Sequence, residues 1–358
     1  MQYADRAITF TVAAAPTSSL ATRVATMSVN TWQDWAGGFL PGSVCNPAGL
    51  DPVTSNGIKF AWDKINREIA YYGHGHNGRQ SLMLNFSDSS NAWRNTDAVP
   101  IAAGLSDMHQ FSLQTHDPAR GKLFFHEPYG NGSSFRLYYR PAATKAWSLV
   151  SGDDPQGGHA QLPGMAFNPT VGTQGVVLSG STYGITQWDV AANSWSTRWP
   201  GFGSGGIQVA DFSNGFYDIA STNSYMCGGN NFSALALVQI PATGSVVNKN
   251  NLPAQVQIPT SSATGGIVVD ADVSTRSDTN GLIRRPLLIV PGGGMWTYNS
   301  AADSWASLGV TAPAAGSPSI NTIFVGYVSD YDCYAMWRQT SADGSCTASV
   351  FKPPLTVF

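Results

Sequence analysis

The feature that most constrains this chain is a recurring phrase: a short strand, a tight polar turn, and a tryptophan on the returning strand. Residues 187–197 read QWDVAANSWST, with Trp188, Asp189 and Val190 extended, a turn over residues 191–193, and Trp195 on the inward side of the return. Residues 298–305 (YNSAADSW), 86–93 (FSDSSNAW) and 139–147 (YRPAATKAW) repeat it. A single strand pair cannot bury its apolar side alone, so a chain written this way is an array of similar units.

The spacing of the marks selects the kind of array. They fall at Trp32, Trp93, Trp147, Trp195 and Trp305, with Val246 as the unmarked member, in steps of 61, 54, 48, 51 and 59 residues. Four short strands and their loops fill about 50 residues, the size of a β-propeller blade and too long for a helical solenoid repeat. A chain of 358 residues accommodates six such blades in one closed domain. The 38 glycines and 21 prolines supply the frequent turns that so many short strands need.

Each unit carries a second mark, a strand, a turn, and a stronger apolar strand. The successive pairs are residues 58–62 and 69–72, the turn at Asp117-Pro118 before residues 123–125, and the turn at Asn168-Pro169 before residues 176–178. They continue with a turn at Asn214-Gly215 before residues 225–227, then residues 267–269 and 287–290, then residues 323–325 and 333–337. Residues 28–35 (SVNTWQDW) read as an outer strand with no preceding partner, and residues 348–351 as a strand with no following one. The two ends are therefore expected to meet in one blade, which removes a sheet edge.

An apolar strand ending in glycine, a following strand, a polar turn and a tryptophan, repeated over residues 25–358, resemble the kelch and galactose-oxidase-type propeller family. The family's paired glycine survives as Gly228-Gly229 and Gly292-Gly293, with Gly73-His74-Gly75 a near match. The resemblance implies an all-β, six-bladed, kelch-like β-propeller closed by its N- and C-terminal strands. It does not carry over copper-radical catalysis, because the tyrosine, cysteine and histidine ligands of galactose oxidase find no matching positions in this sequence.

Charged residues make up only 11% of the chain and the net charge is −3, which excludes a basic nucleic-acid footprint and a polybasic membrane patch. The surface is covered instead by Ser, Thr, Asn, Gln and Gly, as on secreted and virion proteins. Residues 7–15 (AITFTVAAA) have a faint signal-peptide look, but Asp5 and two threonines spoil it, so residues 1–24 are expected to stay as an arm docked on the ring or on a neighbour. No stretch reaches the length of a membrane span.

The connections between blades and those between the second and third strands leave from one face of the ring and are the long ones, which makes that face the binding candidate. Its candidate residues are His74, His76 and Arg79 in blade one, Tyr129 and Asn131 in blade two, and Asn231 and Phe232 in blade four. Aromatic rings beside Asn, His and Arg stack on sugars or grip protein surfaces. His74 and His76, at i and i+2, share one side of an extended segment as a copper or zinc pair would, with His109 or His159 available as a third ligand. Nothing in the spacing requires it, and no metal or cofactor is expected.

Residues 270–281 begin like a calcium loop with Asp270, Asp272 and Ser274, but Thr275 stands where glycine is needed and Gly281 where an acid is needed. The glycine runs at 201–206 and 292–294 match no phosphate loop, and no nucleophile elbow is present. The expected function is a non-catalytic binding or structural propeller, in a phage or virus particle or otherwise extracellular, with a protein or cell-surface glycan as partner. The alternative is a secreted carbohydrate-active or copper-radical oxidase-like enzyme.

Two finer expectations follow. Trp93, Trp147, Trp195 and Trp305 should be equivalent, largely buried packing residues, so that Trp195→Ala costs about 3–5 kcal/mol. Of the four cysteines, Cys227 ends a core strand as a small apolar filler, and Cys45 has no nameable partner. Cys333 and Cys346 flank a hairpin turn that would allow a cross-strand disulfide.

Overall fold

The structure, a computed structural model, describes residues 19–47, 59–74, 81–96, 114–126, 136–150, 152–155, 164–181, 184–201, 214–228, 236–249, 267–269, 285–314 and 323–354. The chain enters through helix α1 (Ser19–Thr26), strand β1 (Thr31–Asp34), a 3₁₀ turn at Ala36–Gly38 and a single helical turn α2 (Gly42–Cys45). Blade one is β2 (Ala61–Asp63), β3 (Glu68–His74), β4 (Ser81–Ser87) and β5 (Ala92–Thr96). Blade two is β6 (Gln114–Asp117), β7 (Lys122–His126), β8 (Leu137–Pro141) and β9 (Ser148–Leu149). Blade three is β10 (Gly164–Asn168), β11 (Val176–Ser181), β12 (Gly184–Asp189) and β13 (Ser194–Trp199). Blade four is β14 (Asn214–Asp218), β15 (Asn223–Gly228), β16 (Ala236–Ile240) and β17 (Val247–Lys249). Blade five is β18 (Ile267–Val269), β19 (Leu287–Ile289), β20 (Gly294–Asn299) and β21 (Ser304–Thr311). Blade six is β22 (Ile323–Val328), β23 (Cys333–Gln339) and β24 (Cys346–Lys352), with β1 from the other end of the chain as its outer strand.

The described strands thus form six four-stranded antiparallel sheets, and the first strands β2, β6, β10, β14, β18 and β22 each contact the next, ending with β22 against β2. That closed circuit makes the molecule a six-bladed β-propeller. Its last blade is completed by the pairing of Thr31 with Lys352 through Asp34 with Ser349. Asn214-Gly215, expected as a turn, instead opens β14, and the turn falls over residues 219–222. The reason is that Gly215 sits where inner strands crowd: a Cβ there would lie 2.3 Å from the Met165 carbonyl oxygen of blade three.

The turn phrase has a local cause. Asn91, Asn193 and Asp303, two residues before Trp93, Trp195 and Trp305, adopt φ of 50°, 49° and 49°. Asn and Asp tolerate this left-handed region better than other side chains; Lys145 does the same job before Trp147 at φ 53°. The residue opening the turn accepts the freed amides. Asp189 Oδ1 takes those of Ala191 and Ala192 at 2.9 and 2.8 Å, and Asn299 Oδ1 takes those of Ala301 and Ala302.

Six apolar clusters fill the six gaps between blades, one cluster per gap. Each repeat mark belongs to a different one: Trp93 to the gap between blades six and one, Trp147 to one and two, Trp195 to two and three. Val246 falls in the gap between three and four, Trp305 between four and five, and Trp32 between five and six. Each mark therefore packs against the preceding blade, and where tryptophan is missing at Val246, Trp199 helps fill the same gap.

The expectation of uniform burial needs correction. Trp93 is buried, whereas Trp147, Trp195 and Trp305 are only partly buried, because the outermost strand has solvent beyond it. The fully buried anchor is Trp337 in β23, stacked on Phe324 at 5.3 Å and 4° and met edge-on by Trp35, Phe60 and Trp93. Its indole N–H and that of Trp93 both donate to the Gly38 carbonyl oxygen, at 2.6 and 3.1 Å. Helix α1 covers this gap from outside, burying Leu20 and Val24, with Ser19 bonded to Asn91 of blade one and Lys352 of blade six donating to the Val24 and Met27 carbonyls. The described end of the expected arm thus docks on its own ring.

The cross-strand disulfide that the hairpin would allow between Cys333 and Cys346 is ruled out by strand register. In an antiparallel pair the first residue of one strand faces the last of the other: Cys346 lies opposite Gln339, while Cys333 pairs with Val328 at the far end of the blade. Six strand positions separate them, about 20 Å at ~3.3 Å per residue, far beyond disulfide reach.

These packing differences set the expected cost of mutation. In denaturant titrations Trp337→Ala should lose about 3–5 kcal/mol, and Trp195→Ala only about 1–2 kcal/mol because much of its ring is already in water. Equal losses would contradict the inequality of the sites. Gly38→Ala should cost about 1–3 kcal/mol, since a Cβ would come 2.4 Å from the Trp35 ring and 2.7 Å from the Ala348 methyl; an unchanged midpoint would contradict the tight packing at this gap.

Candidate functional site

Alternation of strand direction gives the ring two unequal faces. One carries the turns joining first to second and third to fourth strands, and its polar groups are used to tie blades together. Arg67 of blade one bridges Asp88 of its own blade at 2.8 Å and Asp330 of blade six at 3.1 Å, and Tyr331 joins the same group. Buried Glu68 of blade one receives Lys145 of blade two at 2.9 Å, along with Arg94. Arg120 of blade two reaches the Gln174 carbonyl of blade three at 3.1 Å. Asn168 of blade three donates to Thr222 of blade four at 3.3 Å, and Asp303, in the third-to-fourth-strand turn of blade five, is reached at 3.6 Å by Lys249 from the far end of the outer strand of blade four. Asn30 closes the circuit by donating to the Leu308 carbonyl of blade five at 3.3 Å.

The opposite face is where second strands end, third strands begin, and each blade hands over to the next. Here first strands converge on the ring axis. Lys59, 8% exposed and in a parallel bridge with Val325 of blade six, extends its ammonium to the Gly215 carbonyl of blade four, the blade across the ring. Gln114 of blade two fixes the backbone around it, donating to the Lys59 carbonyl and accepting the Tyr72 amide at 3.0 Å. Burial pushes the nearby Cys227 thiol up to about 12, with the Lys59 charge pulling the other way. At that value Cys227 stays protonated and is no nucleophile.

A second polar cluster lies between blades two and three. His126, the last residue of β7, places Nε2 at 3.2 Å from Asp154 Oδ2, and Thr186 of β12 donates to the same carboxylate oxygen at 2.8 Å. His126, Asp154 and Thr186 are all buried. The Trp195 ring stands edge-on to His126 at 6.4 Å and its N–H donates to the Gly152 carbonyl at 3.2 Å. The hydroxyl addresses the carboxylate and not the imidazole, so this trio does not make the nucleophile-to-base contact of a hydrolytic triad. Its effect is to pin residues 152–155, the hand-over from blade two to blade three.

Of the sequence-derived site residues, His74 ends β3 on this face, and its side chain lies outside the described residues, as do His76, Arg79, Tyr129, Asn131, Asn231 and Phe232. So do His109, His159 and the calcium-like segment from residue 270 to 281. The strand ends that bracket the three stretches, His74 and Ser81, His126 and Leu137, Gly228 and Ala236, all belong to second-to-third-strand connections and so open on the same face. Sequence reasoning missed Lys59, Gln114, His126, Asp154 and Thr186. The available signal was a lysine set between Ile58 and Phe60 in a first strand, and a histidine closing the apolar run Leu123 to Phe125. Among the described residues no group of three or more His, Cys, Asp or Glu side chains is arranged to hold a metal ion, and no helix is long and apolar enough to cross a membrane.

No family model matches the chain, and no curated protein sequence matches it, so the kelch resemblance extends only as far as the six-bladed fold. Among solved structures, a structural genomics protein of unknown function from Bacteroides thetaiotaomicron VPI-5482 aligns over 91% of this chain and 73% of its own, with TM-score 0.54 and 12% identity. The BP39L lectin from Burkholderia pseudomallei aligns over 86% and 84%, with TM-score 0.52 and 13% identity. An auxiliary nutrient binding protein from Bacteroides thetaiotaomicron VPI-5482 aligns over 83% and 69%, with TM-score 0.52 and 8% identity. At these identities the likeness is one of fold: this chain is similar to other propellers in architecture.

Proposed function

We propose that this protein is a non-catalytic, kelch-like binding propeller that recognises a protein or glycan partner through the face bearing its long connections, as a component of a phage or virus particle or another extracellular assembly. The observation that carries this reading is the inequality of the two faces. The short-turn face uses Arg67, Glu68, Arg120 and Asn168 in bridges from blade to blade, and although Lys59, Gln114 and His126 make buried ties on the opposite face, it is that face that carries the longer connections. That face also gathers the strand ends from which the stretches holding His76, Arg79, Tyr129, Asn131, Asn231 and Phe232 depart. Rings and amides of this kind suit sugar and protein surfaces. The fold is also that of a lectin and of a nutrient binding protein, a likeness that supports a binding role in general and leaves the ligand to this chain's own loops.

The particle setting rests on the composition, polar and weakly charged with 11% charged residues; α1, docked on its own ring, adds nothing to it. A glycan array probed with the full chain tests the reading. Binding should appear for a restricted set of glycans, and a variant carrying Arg79→Ala, Tyr129→Ala and Phe232→Ala should lose it at least about 10-fold with an unchanged melting midpoint. Binding that survives the triple substitution would reject this face. Stoichiometric copper in elemental analysis of the purified protein would favour the oxidase-like alternative.

A further inference from the structure

Two cysteines that the sequence does not pair meet at the seam where the ends of the chain come together. Cys45 closes α2, in the segment leading from the N-terminal outer strand to blade one, and Cys346 opens β24 of the last blade. The two segments are joined by backbone bonds: the Leu40 amide donates to the Cys346 carbonyl at 3.0 Å, and the Cys346 amide returns the bond to Leu40 at 2.9 Å. The Gly42 amide adds a bond to Ser345 Oγ at 2.9 Å. Both sulfurs then converge on one atom. Cys45 Sγ lies 3.1 Å from the Gly344 carbonyl oxygen and Cys346 Sγ lies 3.3 Å from the same oxygen, and both side chains are wholly buried.

We propose that Cys45 and Cys346 are a redox pair that forms a disulfide when the chain folds in an oxidising environment, locking the N-terminal segment to the last blade. The chemistry is a two-step exchange with a small-molecule disulfide. The thiolate of one cysteine attacks a sulfur of that disulfide, releasing one thiol and leaving a mixed disulfide on the protein. The second cysteine's thiolate attacks the sulfur of the first cysteine, forming the Cys–Cys bond, breaking the mixed disulfide and releasing the second small-molecule thiol. Two protein thiols are oxidised, one disulfide is reduced to two thiols, and the protons from the cysteines end on the released thiols.

The surroundings decide when this can happen. Besides Gly344, the Cys45 sulfur has the carbonyl oxygens of Pro41, Gly42 and Asp343 at 3.6, 3.5 and 3.8 Å. Such a ring of negative dipole ends opposes a thiolate and accepts a neutral sulfur, so exchange belongs to folding, before the site closes. The same surroundings then protect the bond, because reduction would have to expel a thiolate into them. A bond between positions 45 and 346 spans nearly the whole ring, so it restricts the unfolded chain far more than a hairpin bridge would. Cys227 and Cys333 stand apart from the pair, at the end of a blade-four strand and at the opposite end of blade six.

The test is refolding of the full chain in a glutathione and glutathione-disulfide buffer, followed by alkylation in denaturant without reductant and peptide mapping. A cross-linked peptide containing Cys45 and Cys346, with Cys227 and Cys333 recovered alkylated, is the expected result. The oxidised protein should melt about 5 °C or more above the reduced one, and Cys45→Ser and Cys346→Ser should each abolish that difference. Recovery of all four cysteines as alkylated thiols, or linkage of any other pair, would overturn the proposal. Mapping of the unsubstituted chain decides the matter even if a serine variant does not fold.

Discussion

The closure of the ring depends on one carbonyl group. The Gly38 oxygen lies in the segment entering from the N-terminus, and it accepts the indole N–H of Trp93 from blade one and of Trp337 from blade six. Three stretches distant in sequence are thereby held at one buried point, inside a cluster that also includes Trp35, Phe60, Phe86 and Phe324. Both indole donors would be costly to bury without an acceptor, so the polar bonds specify the geometry that the aromatic rings stabilise. Glycine is required there because the Trp35 ring and the Ala348 methyl leave no room for a Cβ.

This seam differs from the other five gaps, where consecutive blades are also consecutive in sequence and chain connectivity keeps them close. Between blades six and one the chain must bring its two ends together over more than 300 residues, a loss of entropy that local contacts cannot offset until the ring is nearly complete. The richest aromatic packing, the α1 cover and the backbone bonds of β1 to β24 are all concentrated at this place. On the short-turn face, salt bridges and amide bonds repeat the tie from blade to blade. The rigidity so obtained leaves the other face able to vary in its connections without loss of the fold.

Much of the architecture was legible in the sequence because a propeller repeats one local solution. The turn phrase located the third and fourth strands, and the six marks map one to each gap, with Val246 correctly read as the member without tryptophan. Burial of each tryptophan was not legible, since it depends on whether a further layer covers the outer strand, as α1 does near Trp93 and nothing described does for Trp195. The wrong cysteine pair came from treating a hairpin as a point of contact, when register sends Cys333 to the far end of the blade. Cys45 with Gly344, and Lys59 with Gly215, are contacts between segments whose proximity only the closed ring creates, and no local pattern announces them.

The central claim is that β1 and β24 form a true sheet pair on which the cooperativity of the whole ring rests. Native-state amide hydrogen exchange followed by mass spectrometry tests it most directly. Peptides covering residues 30–35, where the Asn30 and Trp35 amides bond to Lys352 and Ala348, should exchange in the same slow class as the first strand Ile323–Val328 of the same blade. Rapid exchange over residues 30–35 with continued protection of Ile323–Val328 would show that the ring holds without its N-terminal strand and would contradict the account.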